Sequence, residues 1–493
     1  MTGKRRGKKE VTRWAHLVLW VGLALQLAGF PHPAIGAPLS DEEARRRMYD
    51  LIGDDRAKAA QALDRIFYAR DERFIPVLVE MMRGKDIGLF RERNFTPYFA
   101  ALRSLSGQRL GRGDWHGWVE WYGGTDLHPP PGFTGWKGNL LSAIDPGFAE
   151  FLRDGLPTRI RVEEIQWGGV LVDGIPALDN AAMVSPAKAD YLEPGEAVFG
   201  IRINGDARAY PLRIMDWHEM ANDVVGGVPV SLAYCTLCGA GVAFDGRASD
   251  GTTYTFGSSG FLFRSNKLMY DRQTRTLWNQ LTGEPVLGPL AKAEGGPTLR
   301  TLPVVLTTWE AWRSQNPTTR VLALETGFRR PYVAGAAYGD YFSSPDTMFP
   351  VWRRADLLHT KARIFALRIG GVPKAYPLEV LVRERVVNDT LAGETVVLIA
   401  ARGAVKVKGV SRRAGKVSYE AGGEVRAFQR GGSSFRPGDG PDALLDESGR
   451  SWQVTEEALI GPGGEKKLRL GGHLAYWFGW YAFFPKTLVY EKP

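Results

Sequence analysis

Cys235 and Cys238 are the only two cysteines in the chain, and they stand at i and i+3 in the run Tyr234-Cys235-Thr236-Leu237-Cys238-Gly239. Two thiols at that spacing can face the same way from one tight turn. They then offer two soft ligands to a single metal ion, or a pair that closes a disulfide. In a thioredoxin-type motif the first cysteine caps a helix, whose N-terminus lowers its pKa. Here Gly239 and Gly241 fall where the first helical turn would be, and glycine disfavours a helix. The stretch reads as strand, knuckle, strand. A single pair cannot complete a four-sulfur site, so further ligands must come from elsewhere. His218 lies 17 residues before Cys235, and its imidazole suits zinc, copper or iron equally well. Met269 adds a thioether, which shifts the preference toward copper. Glu219 is the candidate proton-handling group beside the metal. Each has a blander reading: a lone histidine is more often a hydrogen-bonded structural residue, and a lone methionine more often core.

The elements that must position these residues occur twice. Val198-Phe199-Gly200-Ile201-Arg202-Ile203 leads to Ala209-Tyr210-Pro211-Leu212, and Ile364-Phe365-Ala366-Leu367-Arg368-Ile369 leads to Ala375-Tyr376-Pro377-Leu378, at a constant offset of 166. The same offset carries Asn222-Asp223 onto Asn388-Asp389. Trp309, Trp312 and Pro317 match Trp477, Trp480 and Pro485 at offset 168. Such ordered self-similarity means two copies of one domain. At offset 166, His218, Glu219, Cys235 and Cys238 become Glu384, Arg385, Ala401 and Ala404. The candidate site residues are therefore dispensable for building the domain, and they change together.

Each copy reads as mainly β. Val198–Ile203 is a strand, Asn204-Gly205 suits a type I′ hairpin turn, and Val228–Tyr234 has the period of a half-buried strand. Short strands and frequent glycines predict a barrel or sandwich. Phe256-Gly257-Ser258-Ser259-Gly260 reads as a flexible turn; it lacks the P-loop pattern that would make it a phosphate cradle. Asp271, Arg272, Arg275 and Trp278 recur at nearly the same spacing as Asp446, Arg450 and Trp452, which predicts a structural ion pair and packing rather than a pocket.

Residues 39–125 carry apolar residues at helical spacing, and Ser40 stands three before Glu43 as a capping box does. This region is expected to be a small all-α, HEAT-like array able to recruit a protein partner. Trp115, Trp118 and Trp121 read as one packed helix face. His128-Pro129-Pro130-Pro131-Gly132 breaks any helix and opens a linker expected over residues 126–160. The expected whole is an α+β multidomain chain, with β-rich copies over 161–326 and 327–493.

The net charge of +9 is concentrated at the start: residues 1–36 hold six cations against Glu10, which leaves +4 for the rest. That gives no reason to invoke nucleic acid. A basic stretch, an apolar run from Leu17 to Phe30, and small residues at Ala34, Gly36 and Ala37 read as a secretory signal peptide over residues 1–36. The expectation is a periplasmic or extracellular protein, touching the membrane only if that segment is retained as an anchor.

Six motifs together resemble the domain of unknown function 3179 family. They are Asp173–Asn180, Ala209–Leu212, Trp217–Asp223, Tyr234–Gly239, Phe256–Gly260 and Met269–Thr274. The resemblance covers about Phe148 to the C-terminus. Thr236 stands where that family typically has proline, which leaves both thiols in place. The resemblance implies an exported prokaryotic protein and no particular reaction. Three readings of the cysteine pair stay open: a transition-metal site with Cys235, Cys238, His218 and Met269, a metal-free thiol–disulfide redox pair, and an inert disulfide in a binding module.

Overall fold

The structure, a computed structural model, describes residues 37–400 and 402–491. The expected signal peptide lies outside the described residues. Among them, no helix is long and apolar enough to cross a membrane.

Seven helices come first: α1 Asp41–Ile52, α2 Arg56–Ala69, α3 Ile75–Asp86, α4 Thr96–Ser106, α5 Trp115–Gly123, α6 Phe133–Leu141 and α7 Gly147–Phe151. Their starts follow from local chemistry. Ser40 Oγ accepts from the Glu43 N–H at 3.2 Å, Asp55 accepts from the N–H groups of Ala57 and Lys58, and prolines sit at the first turns of α3 and α4. Residues 126–160 are not a bare linker: α6 and α7 lie there with Trp136, Lys137 and Phe148 fully buried. The triple proline ends α5's segment, but the next apolar stretch still needs cover. Phe148 therefore packs on Phe261 at 4.5 Å between ring centres, which joins the helices and the first β copy in one core.

Copy one runs through β1 Ala197–Ile203, β2 Asp206–Pro211, α8 Leu212–His218, β3 Met220–Val225, β4 Val228–Cys235, β5 Ala240–Ala248, β6 Phe256–Phe263, β7 Asn266–Asp271, β8 Leu277–Asn279, β9 Leu299–Leu302, β10 Val305–Thr308 and α9 Trp309–Gln315. After α10 (Gly339–Ser343), copy two repeats the plan. It has β11 Arg363–Ile369, β12 Val372–Pro377, α11 Leu378–Glu384, β13 Val386–Leu391, β14 Glu394–Ile399, β15 Ala404–Ser411, β16 Gly415–Gly423, β17 Arg426–Gln429, β18 Lys466–Leu470, β19 His473–Tyr476 and α12 Trp477–Phe483. The β1–β2 hairpin turns on Asn204 and Gly205 at φ 50° and 83°, the left-handed pair that a type I′ turn needs. Strands β3, β4, β5 and β9 are neighbours in one sheet, and β13, β14, β17 and β18 repeat that order in the other copy.

The repeat breaks at one point. Val230 pairs with Asp245, whereas its counterpart Val396 pairs with Gln429. The partner offset is thus 184 against 166, and copy two carries 18 extra residues between the paired strands. These form the β15–β16 ribbon, a separate two-stranded sheet. It stands where copy one makes the short turn between β4 and β5. The Cys238–Ala404 match therefore fails: Ala404 opens the ribbon, and Cys238 has no structural counterpart. Ala401 lies outside the described residues. Phe256–Gly260, expected as a flexible turn, is instead the buried start of β6.

The two copies share one apolar core, with Leu232, Phe244, Leu378, Leu398, Tyr476 and Trp480 all in it. Each leans its last strand-and-helix unit toward the other: Tyr476 N–H donates to Cys238 O at 2.6 Å, and Thr307 Oγ1 hydrogen-bonds Glu424.

Candidate functional site

Strand β4 ends at Cys235 and β5 starts at Ala240, and the Gly239 N–H closes the turn onto Thr236 O at 3.3 Å. Gly239 has φ 59°, and a Cβ there would collide with the Arg363 guanidinium. Both favour glycine. Both thiols are free and buried, and Cys238 Sγ donates to Ser265 O at 3.0 Å.

Their acidities diverge. Burial and the Glu219 carboxylate push the Cys235 thiol up, but the neighbouring Cys238 and the backbone of Lys267 and Cys238 outweigh them, so Cys235 ends below an ordinary thiol. Burial pushes Cys238 well up, and so does the neighbouring Cys235. One thiol is disposed to ionise and the other to hold its proton.

Glu219 sits beneath the pair. It ends α8 at φ 55°, a left-handed C-cap unusual for a residue with a side chain. The framework explains that strain, since Arg385 caps α11 at φ 63° in copy two. Glu219 N–H donates to Met215 O, and Tyr234 N–H donates to Glu219 O, both at 2.8 Å; Arg385 makes the same two contacts with Leu381 and Ala400. What differs is the side chain. The Glu219 carboxylate accepts from Thr236 Oγ1 at 2.7 Å, from Tyr338 Oη at 3.5 Å, and pairs with Lys267 Nζ at 3.3 Å. Asp216, one turn earlier, is buried with Oδ1 unpartnered; burial and the nearby Glu219 push its carboxyl well up.

Copy two forms the roof. Tyr341 Oη donates to Leu237 O at 2.6 Å, and Gly479 of α12 rests on Cys238 so closely that a Cβ would come within 2.9 Å of its sulfur. Arg363 lies over the Tyr476 ring at 4.1 Å and donates to Tyr476 Oη at 3.0 Å. Beside it Lys361 sits 3.7 Å over the Tyr341 ring, with its amine pushed down to about 8 by burial and by Arg363.

The expected ligand set does not assemble. Both nitrogens of the buried His218 are engaged, Nδ1 with Pro176 O at 2.8 Å and Nε2 with Tyr332 Oη at 2.6 Å. Among the described residues no three side chains of His, Cys, Asp or Glu form a group able to hold a metal. His218 therefore does not join Cys235 and Cys238. Met269 is buried in β7, opposite Ser258 and Trp278. The Asp271 and Asp446 motifs serve as framework. Each carboxylate accepts from an indole N–H, Trp278 at 2.8 Å and Trp452 at 3.0 Å. The arginines part ways, since Arg450 pairs with Asp446 while Arg275 reaches Glu150.

Lys267, Asp216, Tyr338, Tyr341, Arg363 and Gly479 carry no motif. The last four come from more than 100 residues away in sequence, and nothing local marks them. Only the unequal sequences of the two copies hinted at Asp216, whose offset-166 counterpart is Val382.

Fold and site together define a two-copy β protein in which one copy carries a buried dithiol and the other covers it. The chain belongs to the family described as Protein of unknown function (DUF3179), which matches residues 172–487 and so spans both copies. Neither the curated proteins nor the solved structures gave a match.

Proposed function

We propose that the chain is a thiol–disulfide redox protein, with Cys235 as the attacking thiolate and Cys238 as the resolving thiol. The observation that carries this reading is the arrangement of two free, buried thiols on one tight turn, with Cys238 Sγ donating to Ser265 O at 3.0 Å; the surroundings draw Cys235 below an ordinary thiol and push Cys238 above one. The thiolate is the reactive species. Its co-reactant is a disulfide. Cys235 attacks one sulfur of it, forms a mixed disulfide and expels the first thiolate. Cys238 then attacks Cys235 Sγ, its proton passes to the leaving sulfur, and the second thiol departs. Two thiols are oxidised and one disulfide is reduced. The basic-then-apolar N-terminus supports a working place outside the cytoplasm, where disulfides persist. The roof of Tyr341 and α12 must shift for a disulfide to enter, so local opening of copy two gates the exchange.

The test is alkylation by iodoacetamide across pH, with the modified residue mapped by mass. Cys235 should react first, with a midpoint below that of an ordinary thiol, and Cys238→Ser should move that midpoint up. Incubation with a small disulfide should remove two hydrogens from the parent, stop at the mixed disulfide on Cys235 in Cys238→Ser, and leave Cys235→Ser unmodified. Equal labelling of both thiols with ordinary midpoints would overturn the reading. So would near-stoichiometric metal in the parent that is lost in Cys235→Ser, which would restore a metal site.

A further inference from the structure

The 18-residue insertion in copy two does more than cover. The inner face of the β15–β16 ribbon is apolar, with Val405, Val407, Val417 and Tyr419 buried. Its outer face and tip are cationic. Lys408 and Lys416 are exposed along the strands, and Arg412 and Arg413 are exposed at the turn. Beside the tip runs the segment 327–333, tied to the ribbon where Val410 N–H donates to Ala334 O at 2.9 Å. It adds exposed Arg329 and Arg330. Arg412 reaches the Trp217 ring at 5.9 Å, and Phe328 stacks near His218 at 5.3 Å, so ribbon and segment meet over the end of α8. Among the described residues none of these six cations forms an ion pair, and all six are exposed. The acids close by are Glu420, which faces Lys406 across the ribbon, Asp340, which accepts from Ser411 Oγ, and Glu193 and Glu196 on the far wall of the adjoining groove, the last paired with Arg213.

Large apolar side chains are interleaved with this charge. Phe328, Val333 and Val410 are 42%, 48% and 50% exposed, three of the chain's few outward large apolar residues. Between Val333, Ala334, Val407 and Val417 lies a groove of about 830 Å³, rimmed by Lys406, Lys408 and Lys416. A run of acidic residues alone would satisfy the cations and leave Phe328, Val333 and Val410 in water. A bilayer surface with anionic headgroups satisfies both, because cations sit at phosphate level while short apolar side chains enter the acyl boundary.

The geometry points to a membrane-docking surface: we infer that the ribbon tip and the segment 327–333 bind the surface of an anionic phospholipid bilayer. The inference is independent of the cysteine chemistry. It is tested on the full chain by hydrogen–deuterium exchange, which reads the ribbon separately from the N-terminus. The probes are vesicles of phosphatidylcholine alone, vesicles containing phosphatidylglycerol, and polyglutamate. Peptides spanning 408–416 and 327–333 should exchange at least about tenfold more slowly on the anionic vesicles than on neutral ones, given roughly 1 kcal/mol per basic residue at such a surface. The protection should vanish in the combined variant Lys408→Glu, Arg412→Glu, Arg413→Glu, Lys416→Glu, and weaken several-fold in Val333→Ser, Val410→Ser. Unchanged exchange in β3–β5 checks that each variant is folded. Absence of protection on anionic vesicles would overturn the inference. Equal protection by polyglutamate, with the serine variant unaffected, would overturn it in favour of an acidic polypeptide partner.

Discussion

Cys238 has no spare room beside Gly479. A methyl group there would stand 2.9 Å from the sulfur and 3.0 Å from Cys238 Cβ, too close without a shift of α12. Gly479→Ala is expected to cost about 1–3 kcal/mol, as overpacking of a tight core does, and to slow closure of the disulfide by displacing the resolving sulfur. Thermal melts read the first effect and quantified thiols the second; a variant that melts lower but closes its disulfide at the parent rate would place Gly479 in packing alone. Glu219 makes the complementary point. Its backbone conformation is shared with Arg385 and belongs to the domain, whereas its carboxylate contacts belong to the site.

Among the elements, the β7–β8 turn shows what both copies keep. Asp271 accepts from the Thr276 N–H at 3.1 Å, from Thr274 Oγ1 at 2.8 Å and from the Trp278 indole at 2.8 Å, in a fully buried setting. Removing it strands several buried donors, each costing on the order of 1–3 kcal/mol. Asp271→Ala should therefore lower the denaturation midpoint strongly while leaving the alkylation midpoint of Cys235 in the folded fraction unchanged. A shifted Cys235 midpoint would tie the turn to the site. The β4–β5 turn and the β15–β16 ribbon are the opposite case. The same junction became a four-residue thiol turn in one copy and a long cationic ribbon in the other.

At the scale of the whole molecule, the copies cover each other with unlike chemistry. Against Thr307 of copy one, copy two buries an ionic cluster: Arg426 Nε donates to Glu456 at 2.9 Å, and Glu424 is drawn down to about 2 because Arg426 and Arg402 outweigh burial. His473, in the strand that leads to α12, is pushed down to about 4 by burial. Below its ordinary pKa the unfolded chain binds a proton there that the folded chain refuses. Stability should thus fall as pH drops from about 6.5 to about 4, by on the order of 3 kcal/mol. His473→Gln should flatten the upper part of that slope, where carboxylates contribute little. An unchanged slope between pH 6.5 and 5 in urea titrations would show that His473 is not its source.

What the sequence determined alone are the features written in local spacing. Helix starts at Ser40 and Asp55, the Asn204-Gly205 turn, the strand periods, the Asp271 and Asp446 motifs and the repeat all depend on residues a few positions apart. The turn carrying Cys235 and Cys238 was legible for the same reason. Tertiary structure decided everything that joins distant segments. It turned His218 toward Pro176 and Tyr332 instead of the thiols, put two buried helices into the expected linker, made Phe256–Gly260 a core strand, and broke the offset at the ribbon. It also brought Tyr341, Arg363 and Gly479 over the pair. The spacing of the motif brings each cysteine to bear on the other's acidity, but the burial that acts on both thiols comes from distant segments packed over the turn.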